Sequence, residues 1–187
     1  MLRPDIGYVQ GMSYVAGSIL IHSEGNEQNA FRGFANLMNR DHLFTFYSFD
    51  MERVNIVFHV FMTLMKERLP KLHGAFKQTN VSCSIFLFEW IVAVYSNIFS
   101  LETSSRLWDS YLYHGDYYLV RIAIAICACL EASVQGGGTG QFEMMVLLFK
   151  NVRNFVTEEA LFQALDGTAA GKVTQEEFDR IKKVVEA

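Results

Sequence analysis

Apolar residues recur along this chain at spacings of three and four, and no sustained run alternates apolar with polar positions. The pattern therefore predicts helices and no sheet. Gly11 to His22 reads as a first, mostly apolar helix. Asn26 is placed to cap a second over Glu27 to Arg40, with Ala30, Phe31, Phe34, Leu37 and Met38 on one side. Met51 to Leu69 sets Val54, Val57, Phe58, Phe61, Leu64 and Met65 at helical spacing until Pro70 stops it, and a short segment follows from Lys71 to Lys77. Ser82 to Tyr95 is the most apolar stretch and is expected at the centre. Glu102 to His114 ends on Gly115, and Tyr117 to Ser133 follows with Asp116 as its expected cap. After the loop Gly136-Gly137-Gly138-Thr139-Gly140 come helices over Gln141 to Arg153, Thr157 to Leu165 and Thr174 to Val185. The expectation is an all-α, single-domain multi-helix bundle of about eight or nine helices without internal repeat.

Composition narrows the class. The chain has 187 residues, enough for one domain with a sizeable core, and at 51% hydrophobic and 14% aromatic it is not a disordered segment. The net charge is −4 and no Lys/Arg stripe forms, so nucleic acid is not expected as a partner. Cys83, Cys127 and Cys129 lack metal-ligand or CxxC spacing and read as buried reduced thiols, which suits a reducing compartment. Met1-Leu2-Arg3-Pro4-Asp5 does not resemble a signal peptide. Val81 to Phe99 and Tyr117 to Val134 are apolar enough to invite a membrane reading. They carry Glu89 and Arg121, with small and polar residues between, and are expected to be core helices; no transmembrane segment is expected.

Chemistry concentrates near the start. Ile6-Gly7-Tyr8-Val9-Gln10-Gly11-Met12-Ser13 sets an amide side chain between two glycines at the edge of a helix. Glycine permits close backbone approach or unusual dihedrals, and a glutamine can offer a ligand both a donor and an acceptor. From spacing alone this could equally be a glycine-punctuated turn with an incidental glutamine. Downstream, Phe88-Glu89-Trp90, Tyr95-Ser96, Leu101, Arg106-Leu107-Trp108-Asp109 and Gly115 form a second ordered block.

Together these blocks resemble the TBC domain family, the GTPase-activating proteins for Rab GTPases. The first is similar to that family's glutamine-finger core, Gly-Tyr-x-Gln-Gly-Met. The second matches its sequence of a Trp, an aromatic-Ser pair, a Leu, Arg-hydrophobic-Trp-Asp and a Gly. Arg3-Pro4-Asp5 and Leu69-Pro70-Lys71-Leu72 look like one subgroup of the family. The likeness spans roughly residues 1–165, and the bundle would be the C-terminal two-thirds or more of such a domain, with residues 155–187 as its C-terminal helices.

The resemblance implies a role in trans. GTP hydrolysis needs an in-line water and stabilisation of the charge spreading over the phosphates. Gln10 would position the water and contact the phosphoryl oxygen, with Gly7, Tyr8, Gly11 and Met12 holding its loop. Glu89, Trp90, Tyr95, Arg106, Trp108 and Asp109 would bind the GTPase or scaffold the motif. The chain would be an activator rather than an enzyme in its own right. Its partner would be a Rab small GTPase, and the GTP and Mg²⁺ would belong to that partner, leaving no cofactor here. It would be cytoplasmic, recruited peripherally to endomembranes through the GTPase in vesicle trafficking. The family's arginine finger lies upstream of the glutamine motif, in an Ile-x-x-Asp-x-x-Arg pattern, and the chain as read begins too late to contain it. Arg53, in Tyr47-Ser48-Phe49-Asp50-Met51-Glu52-Arg53, imitates the spacing on the wrong side and is not assigned that role. A catalytically silent TBC module that binds a small GTPase or trafficking partner is the alternative.

Other residues are open to two readings. Arg106 and Asp109 can pair at i, i+3, and Glu89 and Arg121 can either pair or line a groove. Asp166 to Glu177 has the frame of an EF-hand loop, but Ala170 stands where an oxygen ligand is needed and Thr168 is a poor substitute. Thr174 and Glu177 instead read as a capping box, and no metal site is expected. Outside the family, a helical scaffold carrying this non-calcium loop would be the remaining reading. His22, His42, His59, His73 and His114 are scattered singly.

Overall fold

The computed structural model describes residues 5–134, 141–167 and 173–186. Among these there are eleven α-helices, one 3-10 turn over Val152–Asn154 and no strand. The helices are α1 (Met12–His22), α2 (Glu27–Met38), α3 (Asp41–Tyr47), α4 (Met51–Arg68), α5 (Pro70–Thr79), α6 (Ser84–Val92), α7 (Leu101–His114), α8 (Tyr117–Val134), α9 (Gln141–Lys150), α10 (Glu158–Gly167) and α11 (Gln175–Glu186). The all-α expectation holds, with α3 the helix it lacks.

Local chemistry sets most of the boundaries. The Asn29 amide donates to Asn26 Oδ1 at 3.0 Å, Arg53 N to Asp50 Oδ1 at 3.2 Å and Thr103 N to Ser100 Oγ at 3.2 Å, so α2, α4 and α7 begin on side-chain caps. Pro70 does two jobs. It lacks the amide that would continue α4, and its fixed φ suits the first position of α5, which runs to Thr79 as a full helix. α7 stops where Gly115 turns to φ +94°. The Asp116 carboxylate accepts from Tyr111 Oη at 3.4 Å and lies 3.9 Å from Arg40.

The centre of the bundle is α8, not the Ser82–Tyr95 stretch. α8 packs against α4, α5, α7, α9, α10 and α11, and from Tyr117 to Cys127 every residue but Arg121 is buried. Its length and composition would let it cross a membrane, but 67% of it is buried in the fold, as befits a core helix. The aromatic part of the core, Phe61, Phe76, Phe86, Trp90 and Phe149, joins α4, α5, α6 and α9 through edge-on and stacked contacts, the closest being Phe86 to Phe149 at 4.5 Å. Cys83 and Cys127 are buried and Cys129 half-buried; all three are free, and burial raises their pKa values, Cys83 to about 12.

α10 and α11 fold back on this core. Leu161, Leu165, Val173, Phe178 and Ile181 are buried, and α10 packs on α8 and α11 on α4. The Glu177 amide donates to Thr174 Oγ1 at 3.2 Å, which is the capping half of the expected box. The Glu177 carboxylate does not close the box. It takes the Arg68 guanidinium at 2.5 Å, with both side chains 18% exposed. Residues 168–172, the middle of the EF-hand-like frame, and the loop 136–140 lie outside the described residues.

A buried histidine sits beside this junction. His42 of α3 packs on the Phe46 ring at 5.3 Å, and its Nε2 has no partner among the described residues. Burial lowers its pKa to about 4. Unfolding restores the ordinary value near 6.5, so below that the unfolded chain binds the extra proton. This contribution to stability is intact above pH 6.5 and is lost as pH falls from 6.5 to about 4, by about 1.4 kcal/mol per unit at most. Urea midpoints measured across pH 4–8 should show this slope in the native chain and lose it in His42→Phe.

Candidate functional site: a glutamine loop on a left-handed turn

The segment before α1 alternates between the core and solvent. Ile6 is buried, Gly7 and Tyr8 are exposed, Val9 is buried, Gln10 is exposed, and Gly11 and Met12 are buried. Val9 acts as a peg: its amide faces Met12 Sδ at 3.4 Å, and its carbonyl accepts from Met12 N at 3.1 Å. Tyr8 projects at 72% exposure, its hydroxyl 3.4 Å from Ser13 Oγ. Gln10 is thus held out between two buried neighbours at the N-terminal edge of α1, where the carbonyl of Gly11 already accepts from Tyr14 and Val15.

Gly11 fixes this arrangement. Its φ is +114°, and a Cβ built there would lie 2.9 Å from Val92 Cγ2 and 3.4 Å from Ala93 N. The loop therefore rests directly on the C-terminal end of α6, in a conformation that glycine alone adopts cheaply.

That end of α6 is unusual. The helix stops at Val92, three residues short of the expected Tyr95, because Val94 and Tyr95 take φ +46° and +63°. The Tyr95 amide donates to Trp90 O at 2.8 Å and the Val94 amide to Ile91 O at 3.0 Å, which is the paired bonding of a left-handed helix stop. Glycine normally occupies the left-handed position; a valine there costs on the order of 1–3 kcal/mol. Two side chains from elsewhere in the chain, and the turn's own Tyr95, hold it in place. Tyr47 Oη donates to Val92 O at 2.9 Å, Trp108 Nε1 donates to Val94 O at 2.8 Å, and Tyr95 Oη donates to Leu119 O at 2.6 Å. Trp90, 1% exposed, packs beneath, 6.2 Å from the Tyr95 ring.

The structure thus brings Trp90, Tyr95 and Trp108 together under the glutamine loop. Tyr47, which no motif marks and which is missing from the expected site residues, joins them through a hydrogen bond spanning 45 residues. Tyr95→Phe keeps the ring and removes its O–H donor, and should lower stability by about 1–2 kcal/mol in denaturant melts.

The charged residues of the second block go elsewhere. Arg106 does not pair with Asp109; it pairs with Glu158 and lies over the Phe162 ring at 3.9 Å, tying α7 to α10. Thr103 Oγ1 donates to the same Glu158 carboxylate at 2.6 Å, and these two bonds hold the Glu158 pKa below its ordinary value. Glu89 and Arg121 do not meet: Glu89 is exposed and paired with Lys150 at 2.6 Å, while Arg121 donates to Leu165 O and packs over Tyr118. Arg53 is engaged by Asp41, whose pKa the guanidinium lowers. Among the described residues, no cluster of His, Cys, Asp or Glu could hold a metal ion.

Comparison with known proteins gives this geometry a family. The Rab-GTPase-TBC domain family matches residues 1–134, a shorter span than the 1–165 suggested by the motifs. TBC1 domain family member 14 of Rattus norvegicus is 35% identical over 129 residues, which is 69% of this chain and 18% of the relative. Member 12 of the same organism is 36% identical over the same length. Drainin of Dictyostelium discoideum is 25% identical over 180 residues, 96% of this chain and 39% of that protein. The chain thus spans about a fifth of the TBC1 relatives it matches. In fold it is similar to the crystal structure of the Chlamydomonas flagellar RabGAP TBC domain, with a TM-score of 0.69 and 21% identity, covering 90% of this chain and 55% of that one. A family match over most of the chain, with the all-α architecture beside it, places this protein in the Rab-GTPase-TBC domain family.

Proposed function

We propose that this chain activates GTP hydrolysis by a Rab small GTPase, acting in trans through Gln10. The observation that carries the reading is the placement of Gln10: an exposed amide held out between buried Val9 and a buried Gly11 that packs closely on the end of α6. A preorganised amide of this kind can accept from an attacking water and donate to a phosphoryl oxygen without having to reorganise at the moment of reaction. Gly11, Tyr8 and Met12 hold the loop, and Trp90, Tyr95 and Trp108 hold the turn beneath it. GTP and Mg²⁺ come with the GTPase, and membrane recruitment and a place in vesicle trafficking follow from that partner. The deciding experiment is single-turnover GTP hydrolysis by a panel of Rab proteins, with and without the protein and its Gln10→Ala variant.

The alternative reading is a module that binds the GTPase without activating it. Arg53, whose spacing imitates a finger motif on the wrong side of the glutamine, pairs with Asp41 and supports neither reading. An arginine finger contributes about 10³–10⁵ in rate. Binding of a Rab with no acceleration, in the longest form of the protein that its gene encodes, would select this reading.

A further inference from the structure

The cleft between α1, α2 and α7 shares no residue with the glutamine loop, but Trp108, which lines it, also bonds to the turn on which that loop rests. Its volume is about 350 Å³, and its walls include Ile19 and His22 of α1, Leu37 of α2, and Trp108, Asp109 and Leu112 of α7. It is closed at one side because Gly33 lets α2 approach α1; a Cβ there would lie 3.1 Å from Ile19 Cγ2. Apolar surface dominates it, and Leu112 remains 47% exposed at the mouth.

Its polar groups are already arranged. His22 Nδ1 faces the Ser18 carbonyl at 2.7 Å, so that nitrogen carries a hydrogen and donates. His22 Nε2 lies 2.8 Å from Ser105 Oγ. These bonds fix the ring as part of the wall. The Asp109 carboxylate is the exception: it is exposed and has no hydrogen-bond or ion-pair partner among the described residues. Its neighbour in sequence, Trp108, spans two places, lining the cleft with its ring and donating through Nε1 to Val94 in the turn under Gly11.

We infer that this cleft is a second docking point for the GTPase, built to take a lysine or arginine side chain of the partner. This rests on the reading of Gln10 given above. The chemistry specifies the occupant: an aliphatic stem suits the Ile19, Leu37 and Leu112 walls, and a cationic head suits the unpaired Asp109 beside Trp108. Position supports it too. Ser18 and His22 lie eight and twelve residues beyond Gln10, about 12–18 Å along the helix direction, within the footprint of a partner about 800 Å² in contact area.

The test uses direct binding, so that it does not depend on catalysis. Rab proteins loaded with a non-hydrolysable GTP analogue are titrated against the native chain, Asp109→Lys and Leu112→Glu, with thermal melts confirming that each variant keeps its fold. Both positions are exposed, so the melts should be unchanged. Asp109→Lys is expected to weaken the Kd roughly tenfold or more for any Rab that the native chain binds, because it sets a like charge against the partner's cation. Leu112→Glu leaves Asp109 in place and adds a second negative charge, but disrupts the apolar wall, and is expected to weaken binding by a smaller factor. Equal affinity of Asp109→Lys and the native chain would overturn the docking point and leave the Gln10 reading in place. Failure of the native chain to bind or accelerate any Rab would overturn both.

Discussion

Gln10→Ala is expected to remove most of the acceleration of GTP hydrolysis while leaving fold and GTPase binding close to native. The side chain is exposed and makes no hydrogen bond among the described residues, so truncation leaves no cavity and no orphaned buried group. Substitutions of that kind usually change stability by less than about 0.5 kcal/mol. The rate should respond very differently. Removing one preorganised donor from a site where charge develops costs about 10²–10³ in rate, roughly 3–4 kcal/mol of barrier. Single-turnover rates at saturating protein would give the loss, and affinity for an analogue-loaded Rab would separate it from weakened binding. Acceleration that survives Gln10→Ala undiminished would sink the assignment, whatever the family.

Gly11→Val should damage both stability and activity. Valine is poorly suited to φ +114°, and its Cβ would meet Val92 Cγ2 at 2.9 Å, with the Ala93 backbone close behind. Backbone strain and overpacking each cost on the order of 1–3 kcal/mol, so a loss of about 2–5 kcal/mol is expected in denaturant melts. The chain can relieve the clash by lifting the loop off α6, which would carry Gln10 away from its place, so residual folded protein should be a poor activator. Gly7→Ala is the control. Gly7 is exposed with nothing within 4 Å of a Cβ, and its replacement should be nearly neutral. If the two glycines respond alike, the packing of Gly11 does not position the loop.

Much of this fold is legible in the amino-acid sequence, and where it is not the cause is distance along the chain. Helix periodicity and caps place α1, α2, α4 and α7 to within a residue or two, since those signals are local. α3 escapes notice because Asp41 to Tyr47 is only seven residues long and too short to show a period. α6 is drawn past its end because Val94 and Tyr95 have no local reason to turn left-handed; the reasons are Tyr47, Trp108 and the Leu119 carbonyl, through hydrogen bonds that span 14 to 45 positions. Apolarity alone puts Ser82 to Tyr95 at the centre, whereas centrality is a matter of how many sides of a helix are covered, and α8 has six helices against it. The same limit applies to charges. The i, i+3 rule offers Arg106 a partner on its own helix, and the folded chain supplies Glu158, 52 residues on. Gln10 is singled out by the family-like motif around it, since its two glycines alone fit a plain turn equally well. That Gly11 must be glycine on account of Val92 is not legible, since that pairing exists only once the chain is folded.

The Arg68–Glu177 pair and the apolar faces of α10 and α11 tie the C-terminal helices to the rest of the fold. The family match ends at residue 134, the last residue of α8, yet the helix most surrounded by others reaches that point with α9, α10 and α11 still to be laid against it. Leu161, Leu165, Phe178 and Ile181 shield apolar surface that the matched stretch would leave bare. Kinship and cooperativity therefore draw different borders here. The matched part carries the glutamine, and the helices that follow are bound to it by the requirement to keep its apolar flank out of water.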